Sequence, residues 1–174
     1  MCHNGHVNIL TPNTTARPAP ADSLDLALAA ALAARSGSFD SRHEAAFRLF
    51  NGFYEGHPDL VADLYGRTLV LYNYADPPAE ADALIERASL FYQAQLPWLR
   101  AVLVKARNSE SEEARKGIIV HGDSLDRHVR ENEVWYAVDL QLNQDSSLYL
   151  DTRHLREWAK ANLAGKTVLN IKSI

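Results

Sequence analysis

One stretch near the carboxyl end of this 174-residue chain holds charged side chains where they could bind an anion or a carboxylate. In "LYLDTRHLREW", Asp151, Arg153 and Arg156 lie where a predicted strand passes into a predicted helix. The start of a helix exposes backbone N–H groups that bind anions. Arginine adds a planar pair of donors for carboxylate or phosphate, and Asp151 could accept hydrogen bonds from an amine. Two structural alternatives stay open: Asp151 caps the helix, and Arg153 pairs on the surface with Asp151 or Glu157.

Positive charge is concentrated at this same end of the chain. The net charge of the protein is −4, yet residues 152–174 contain five Lys or Arg residues and one Glu. This asymmetry indicates an anionic ligand near the carboxyl end, although cations near the end of a helix also favour its dipole. The acidic remainder argues against strong autonomous RNA binding, because phosphate contacts supply most of the affinity for nucleic acid.

Two other catalytic motifs are incomplete. The "GKT" at 165–167 lacks the earlier glycine of a phosphate-binding loop, whose place is taken by Lys160, and it follows a helix where the loop must follow a strand. Ser146 and Ser147 lack the flanking glycines of a hydrolase nucleophile elbow. Neither nucleotide hydrolysis nor serine hydrolysis is therefore expected.

Metal binding is also weakly supported. Structural zinc sites draw on paired clusters of ligands, and only one such cluster is present, at Cys2, His3 and His6. Three aspartates spaced by six residues, Asp139, Asp145 and Asp151, could supply oxygen ligands together with Asp59 and Asp63 upstream. The spacing of six does not place the three on one helical face, and Asp145 lies in a predicted loop. We expect no metal site.

The elements that must position the charged stretch begin with a leader and a helix. Residues 1–21 are rich in Pro, Thr and Asn and predict a flexible leader. Leucines recur every four residues over 23–35 and predict a helix with one buried face, formed by Leu24, Leu28 and Leu32 with Leu26 alongside. No apolar run reaches the roughly 18 residues of a membrane span, and the start lacks a signal-peptide pattern, so we expect a cytoplasmic protein.

Strand and helix patterns then alternate along the chain. Gly66 lies between two apolar runs and predicts a hairpin of strands at 60–64 and 68–74. Pro77 and Pro78 predict the start of a helix whose buried side is Leu84, Ala88 and Phe91, with Leu90 beside them. Further predictions are strands at 100–106, 117–121, 134–140 and 167–171, a charged loop at 108–117, an extended segment at 148–150 and a helix at 151–164.

Two segments carry a resemblance to a known family. "RLFNGFYEGHPDLVADLYGRTLVLY" (48–72) and "YAVDLQLNQDSSLYLDTRHLR" (136–156) are similar in order and pattern to class I S-adenosylmethionine-dependent methyltransferases of large-subunit ribosomal RNA, including the 5-cytosine type. "GKTVLNI" (165–171) resembles the strand that follows in that family. The second segment is the more specific, through the pattern Tyr/Phe-Leu-Asp-x-Arg-x-x-Arg.

The resemblance implies roles for particular residues. Tyr149, Asp151, Arg153 and Asn170 are the expected contacts to S-adenosylmethionine, and Arg156 and Lys160 are the expected contacts to RNA. One segment and two single positions depart from the family pattern. Asn143 to Ser147 replace its Gly-x-Lys-Thr-Gly, Thr152 replaces a Gln, and Leu155 replaces an Asn.

The sequence therefore predicts an α/β fold in three parts. These are a leader (1–21), an N-terminal helix with an accessory α/β domain that contains a mixed sheet (22–133), and the incomplete start of a Rossmann-like methyltransferase domain (134–174). The loop that holds the methyl donor would follow residue 174, so we expect a catalytically incomplete methyltransferase polypeptide, shortened by truncation or frameshift.

Two further expectations follow from this organisation. The strand at 167–171 would leave one sheet edge unpaired, which favours self-association. The alternative function is a non-catalytic module that binds RNA or protein through the accessory domain.

Overall fold

A five-stranded mixed sheet forms the centre of the protein in the computed structural model, which describes residues 20–167 and the side chains of residues 23–167. Its strands, in spatial as well as sequence order, are β1 (Ala46–Asn51), β2 (Leu60–Tyr65), β3 (Thr68–Asn73), β4 (Ala101–Ala106) and β5 (Ile118–His121). The β3–β4 pair is parallel and the other three pairs are antiparallel.

The remaining elements surround this sheet. A separate antiparallel hairpin consists of β6 (His128–Glu131) and β7 (Val134–Ala137). The α-helices are α1 (Pro20–Ala34), α2 (Gly52–Glu55), α3 (Asp82–Gln95), α4 (Glu112–Lys116) and α5 (Arg153–Asn162). This arrangement of helices and a mixed sheet confirms the predicted α/β fold class.

The central hairpin and crossover follow from local sequence signals. The hairpin predicted across Gly66 is confirmed, with Tyr65 paired to Thr68. Gly66 has a φ of 63°, a left-handed conformation that glycine adopts at no steric cost. Helix α3 then connects β3 to the parallel strand β4, because parallel neighbours need a long crossover connection.

The first face of the sheet is covered by α1 and α3. From α1, Leu24 and Leu28 are buried, and Leu32 packs at the margin of the core. The prediction for Leu26 was wrong, since this side chain is 72% exposed. It lies two residues from Leu24 and Leu28, about 200° around the helix, which turns it away from the sheet.

The buried side of α3 also differs from the predicted one. Ala88 is buried as predicted, but Leu84 and Phe91 only border the core, and Leu90 is exposed. The sequence permits two overlapping helical stripes that share Ala88. Packing selects the one formed by Ile85, Ala88, Ser89 and Tyr92.

The second face of the sheet is covered by the β6–β7 hairpin and by the chain that follows it. Val129, Val138, Leu140 and Leu150 pack against residues of β1 to β4 on this face. Both faces of the sheet are therefore buried, which explains why β2 and β3 are buried at every position and show no alternation. The predicted boundary between residues 133 and 134 falls at the turn of the β6–β7 hairpin.

Several local predictions were wrong. The predicted loop at 108–117 contains helix α4, for which Ser111 supplies an N-cap by accepting from the Ala114 N–H. The strand predicted at 134–140 ends at Ala137, and a 3-10 turn at Leu150–Thr152 replaces the end of the predicted extended segment. Strands β1 and β6 were not predicted.

Three sequence-based predictions lie wholly or largely outside the described residues: the flexible leader, the strand at 167–171, and self-association through that strand. Asn170 lies there as well. Within residues 20–167, no helix has the length and apolar character to cross a membrane.

Candidate functional site

A row of polar side chains lies on the second face of the sheet, where apolar residues would be expected. Arg48 in β1 pairs in register with Asp63 in β2. Tyr65, Tyr72 and Lys105 occupy the same face on β2, β3 and β4, and all three are buried. Buried polar groups are stable only when they find partners, so the partners of these five residues define the site.

Arg48 and Asp63 satisfy each other through a forked ion pair. The Nε and Nη2 groups of Arg48 donate to Oδ1 and Oδ2 of Asp63 at 2.8 and 3.2 Å. The Asp63 side chain is 3% exposed. Burial raises the pKa of Asp63 and outweighs the opposing effect of Arg48, with a smaller contribution from the charge of Asp151. Asp151 is thus close enough to Asp63 to influence its charge.

The other polar residues of this face hold the loop at 143–148. Lys105 Nζ donates to the carbonyl oxygens of Asn143 and Asp145, each at 2.9 Å. The Tyr72 hydroxyl and the Ser146 Oγ lie 2.7 Å apart in a hydrogen bond.

Two further donors complete the attachment. The Tyr65 hydroxyl donates to the carbonyl oxygen of Leu148 at 2.9 Å, and Arg107 Nη1 donates to Asp145 Oδ1 at 3.0 Å. Four side chains of the sheet region therefore fix the segment that leads to Tyr149 and Asp151.

The loop at 143–147 contains one residue with a left-handed backbone conformation. Ser147, which stands where the family pattern has its last Gly, has a φ of 61°. Its Oγ donates to the carbonyl oxygen of Asp139 at 2.7 Å, a local bond that helps a serine hold this unfavourable conformation.

The attached loop and the sheet enclose a cleft of about 230 Å³. Two of the predicted cofactor residues, Tyr149 and Asp151, line it. The other lining residues are Arg48, Asp63, Tyr65, Tyr72, Tyr74, Arg107, Asp145, Ser146, Leu148 and Leu150. Sequence reasoning missed Arg48 and Lys105, and it considered Asp63 only as a metal ligand. The signal that could have found them was a charged residue inside each of three largely apolar strands.

Three further predicted residues of the described part of the chain, Arg153, Arg156 and Lys160, do not line this cleft. Arg153 Nη1 donates to the carbonyl oxygen of Ala46 at 3.5 Å. Arg156 forms a forked pair with the buried carboxylate of Glu131, at 2.7 and 2.8 Å. Lys160 Nζ donates to the carbonyl oxygen of Asn132 at 2.7 Å and is half exposed.

Asp151 does not cap helix α5. Thr152 occupies the N-cap position and makes no side-chain capping bond. The Asp151 carboxylate is exposed and accepts no hydrogen bond within the described part of the chain. The Tyr149 hydroxyl, by contrast, donates to Asp145 Oδ2 at 3.4 Å. An exposed carboxylate beside the cleft is thus available to a cationic group.

Lys105 should make the stability of the protein depend on pH above neutrality. Burial lowers its pKa from 10.5 to about 8, while Asp145 and Asp139 partly oppose this shift and Arg107 adds to it. Between pH 8 and pH 10.5 the Lys105 amine of the unfolded chain keeps a proton that the folded chain has lost. The free energy of unfolding should therefore rise with pH over this range, by about 3 kcal/mol in total.

The measurement is urea unfolding from pH 7.5 to 10.5. Lys105→Met should abolish this part of the rise, whereas Lys116→Met, which removes an exposed lysine, should retain it. If the free energy of unfolding rose equally with pH in the wild type and in Lys105→Met, the prediction would be contradicted.

The chain is similar to known proteins in sequence and in fold. The chain is 30% identical over 154 residues to a Bacillus subtilis (strain 168) protein described as "Putative ribosomal RNA large subunit methyltransferase YwbD". The match covers 82% of this chain and 36% of that protein. No family model matches the chain.

Two solved structures share the fold. One is "A putative sam-dependent methyltransferase from Streptococcus mutans", with a TM-score of 0.67, 17% identity and coverage of 91% of this chain and 39% of that one. The other is "SMU.776, a putative methyltransferase complexed with SAH", with a TM-score of 0.64, 17% identity and coverage of 78% and 34%. The resemblance to part of a methyltransferase of large-subunit ribosomal RNA is confirmed.

Proposed function

We propose that this chain is the accessory part of an S-adenosylmethionine-dependent methyltransferase that acts on large-subunit ribosomal RNA in the cytoplasm. One observation carries the proposal. The two segments that resemble the family, 48–72 and 136–156, meet in a single cleft, where Arg48 and Asp63 of the first face Tyr149 and Asp151 of the second. The relative and the neighbours described above, all named as methyltransferases, support it.

The cleft offers groups that suit part of the methyl donor. S-adenosylmethionine carries an ammonium and a sulfonium group, for which the exposed Asp151 carboxylate is a suitable acceptor and the Tyr149 ring a suitable neighbour. In this proposal Arg153 and Asn170 contribute to the same donor site. The donor, when bound, supplies the methyl group; the residues of this chain orient its charged end.

We further propose that these residues form half of the donor site and that the chain alone is inactive. In doubly wound folds, ligand contacts come from the ends of several strands and from their loops. A half-site must still overcome the cost of immobilising the ligand and its contacting side chains, which is several kcal/mol.

The RNA contacts belong to the helix that follows the cleft. Lys160 is the better placed of the two predicted residues, because its side chain is half exposed and, among residues 23–167, pairs only with groups of the β6–β7 turn. The Arg156 guanidinium is already bonded to Glu131 and to the carbonyl oxygen of Tyr149. Its contribution to RNA binding would be to hold helix α5 in place.

Calorimetry with S-adenosylmethionine tests the donor site. The 174-residue chain alone should show no binding at sub-millimolar concentration. A fusion to the part of the Bacillus relative that lies beyond the matched region should bind. In the fusion, Asp151→Ala or Arg153→Ala should weaken binding about tenfold or more, since a hydrogen bond to a charged group contributes about 1.5–3 kcal/mol.

The matched control is Asp123→Ala, which removes an exposed aspartate away from the cleft. It should leave donor affinity unchanged. Tight binding by the chain alone would refute the half-site, and unchanged affinity in both cleft variants would reduce Asp151 and Arg153 to surface residues.

A further inference from the structure

Exposed aromatic side chains gather at the edge of the sheet that borders the cleft. Strands β1, β3 and β4 all run in the same direction, because β1 and β3 are each antiparallel to β2 and β3 is parallel to β4. Their carboxyl ends therefore meet at one edge. Phe53 and Tyr54 follow β1, Tyr74 follows β3, and Arg107 follows β4.

Phe53, Tyr74 and Arg107 form an array of side chains in contact, and Tyr54 adjoins Phe53 along the chain. The rings of Phe53 and Tyr74 meet edge to face, with centroids 5.3 Å apart. The Arg107 guanidinium lies 5.8 Å from the centroid of the Tyr74 ring. Phe53 is 58% exposed and Tyr54 is 87% exposed, so neither contributes much to the core.

The backbone that carries Phe53 and Tyr54 is rigid. A Cβ atom at Gly52 would lie 1.7 Å from the carbonyl oxygen of His57, so only glycine fits this close approach. Glu55 accepts from the Asn51 N–H at 2.6 Å and pairs with Arg35 at 2.9 Å. Two aromatic rings are thus presented to solvent on a fixed turn, which lowers the entropic cost of binding a ligand.

The charges of the site indicate which ligand these rings suit. The two arginines beside the array, Arg48 and Arg107, are each paired with an aspartate. The aspartates neutralise the positive charge of both arginines. The planar guanidinium of Arg107 remains part of the array. Such a surface is suited to stacking against flat ligand groups and attracts phosphate groups only weakly. Proteins bind unpaired RNA bases by stacking them on aromatic rings and guanidinium planes.

We infer that Phe53, Tyr54, Tyr74 and Arg107 form a stacking platform for unpaired RNA bases. This inference deepens the proposed function and rests on it. Tyr74 and Arg107 also line the cleft, so a base stacked on the platform lies beside the proposed donor residues Tyr149 and Asp151. Bases in duplex RNA are stacked on each other, so the platform should prefer single strands.

The test is a fluorescence anisotropy titration of the full chain with a labelled single-stranded oligouridylate. Phe53→Leu and Tyr54→Leu, which keep an apolar side chain but remove the ring, should each weaken binding about fivefold or more, equivalent to about 1 kcal/mol per stacked base. Trp135→Leu is the matched control, because Trp135 is an exposed aromatic residue on β7; it should leave binding unchanged. Circular dichroism verifies folding, and Tyr54 is too exposed for its loss to unfold the chain.

The salt dependence provides a second readout. With one or two phosphate contacts, the affinity for a single strand should fall only about threefold to sevenfold between 50 and 200 mM salt. A steeper dependence of affinity on salt would overturn the platform. So would equal binding of duplex RNA or the absence of oligouridylate binding. Unchanged affinity in both leucine variants would overturn it as well. The last result would favour a protein as the partner of these rings. Donor binding by the fusion decides the proposed function separately, so the two can fail independently.

Discussion

Replacing Arg48 by methionine is expected to lower the free energy of unfolding by about 3 kcal/mol or more. The substitution leaves the Asp63 carboxylate inside the sheet without its partner, and an uncompensated buried charge is among the most destabilising changes a protein can undergo. The estimate is at the lower end of the range for buried pairs because the Arg48 side chain is 34% exposed. Urea unfolding at pH 7 measures the change.

The double variant Arg48→Met/Asp63→Leu is the informative control. Replacing both members of a buried ion pair by apolar residues is often neutral or stabilising. The double variant should therefore recover most of the stability lost in Arg48→Met, giving a coupling energy of at least about 1 kcal/mol between the two positions. Additive losses would mean that the aliphatic part of Arg48, and not its pairing with Asp63, accounts for the effect.

Local signals in the sequence predicted the central hairpin and the crossover helix. The turn at Gly66 needs only neighbouring residues to form, and the apolar runs on either side of it could be recognised as strands because both of their faces are buried. The start of the helix after Pro77 and Pro78 is set by backbone geometry in the same local way. Features determined within a few residues were therefore predictable.

Strands β1 and β6 were missed because their pairing depends on distant parts of the chain. β1 contains an irregularity between Arg48 and Phe50, which breaks the alternation that indicates a strand. β6 has four residues, two of them charged and one a histidine, and its pairing with β7 follows a turn in which Asn132 and Glu133 both have positive φ. Neither turn residue is a glycine, so this hairpin lacks the usual turn signal.

The candidate site was predicted only in part for the same reason. Tyr149 and Asp151 were identified from a segment of 11 residues whose pattern is continuous in sequence. Arg48 and Lys105 reach the site across the sheet, and their partners lie 15 and 38 or more residues away. Only the strand register shows that these side chains share one face.

Replacing Arg156 by methionine should destabilise the protein by about 3–5 kcal/mol. The Glu131 side chain is 1% exposed, and both of its oxygens accept from Arg156. Hydrogen bonding to Glu131 raises the pKa of Arg156, so the guanidinium is charged at any pH of interest. Arg156 also donates to the carbonyl oxygen of Tyr149 at 2.7 Å, so its loss removes a link between helix α5 and the cleft.

Arg156→Lys and Lys160→Met separate this structural role from a general effect of charge. Lysine keeps the charge but cannot form the forked pair, so Arg156→Lys should still lose a large part of the stability. Lys160→Met removes an exposed ion pair and should cost no more than about 1 kcal/mol. Thermal and urea unfolding of the three variants at pH 7 measure these differences. If Arg156→Met and Lys160→Met were equally mild, the Glu131 pair would be structurally unimportant, and Arg156 would be free to contact RNA directly as the sequence predicted.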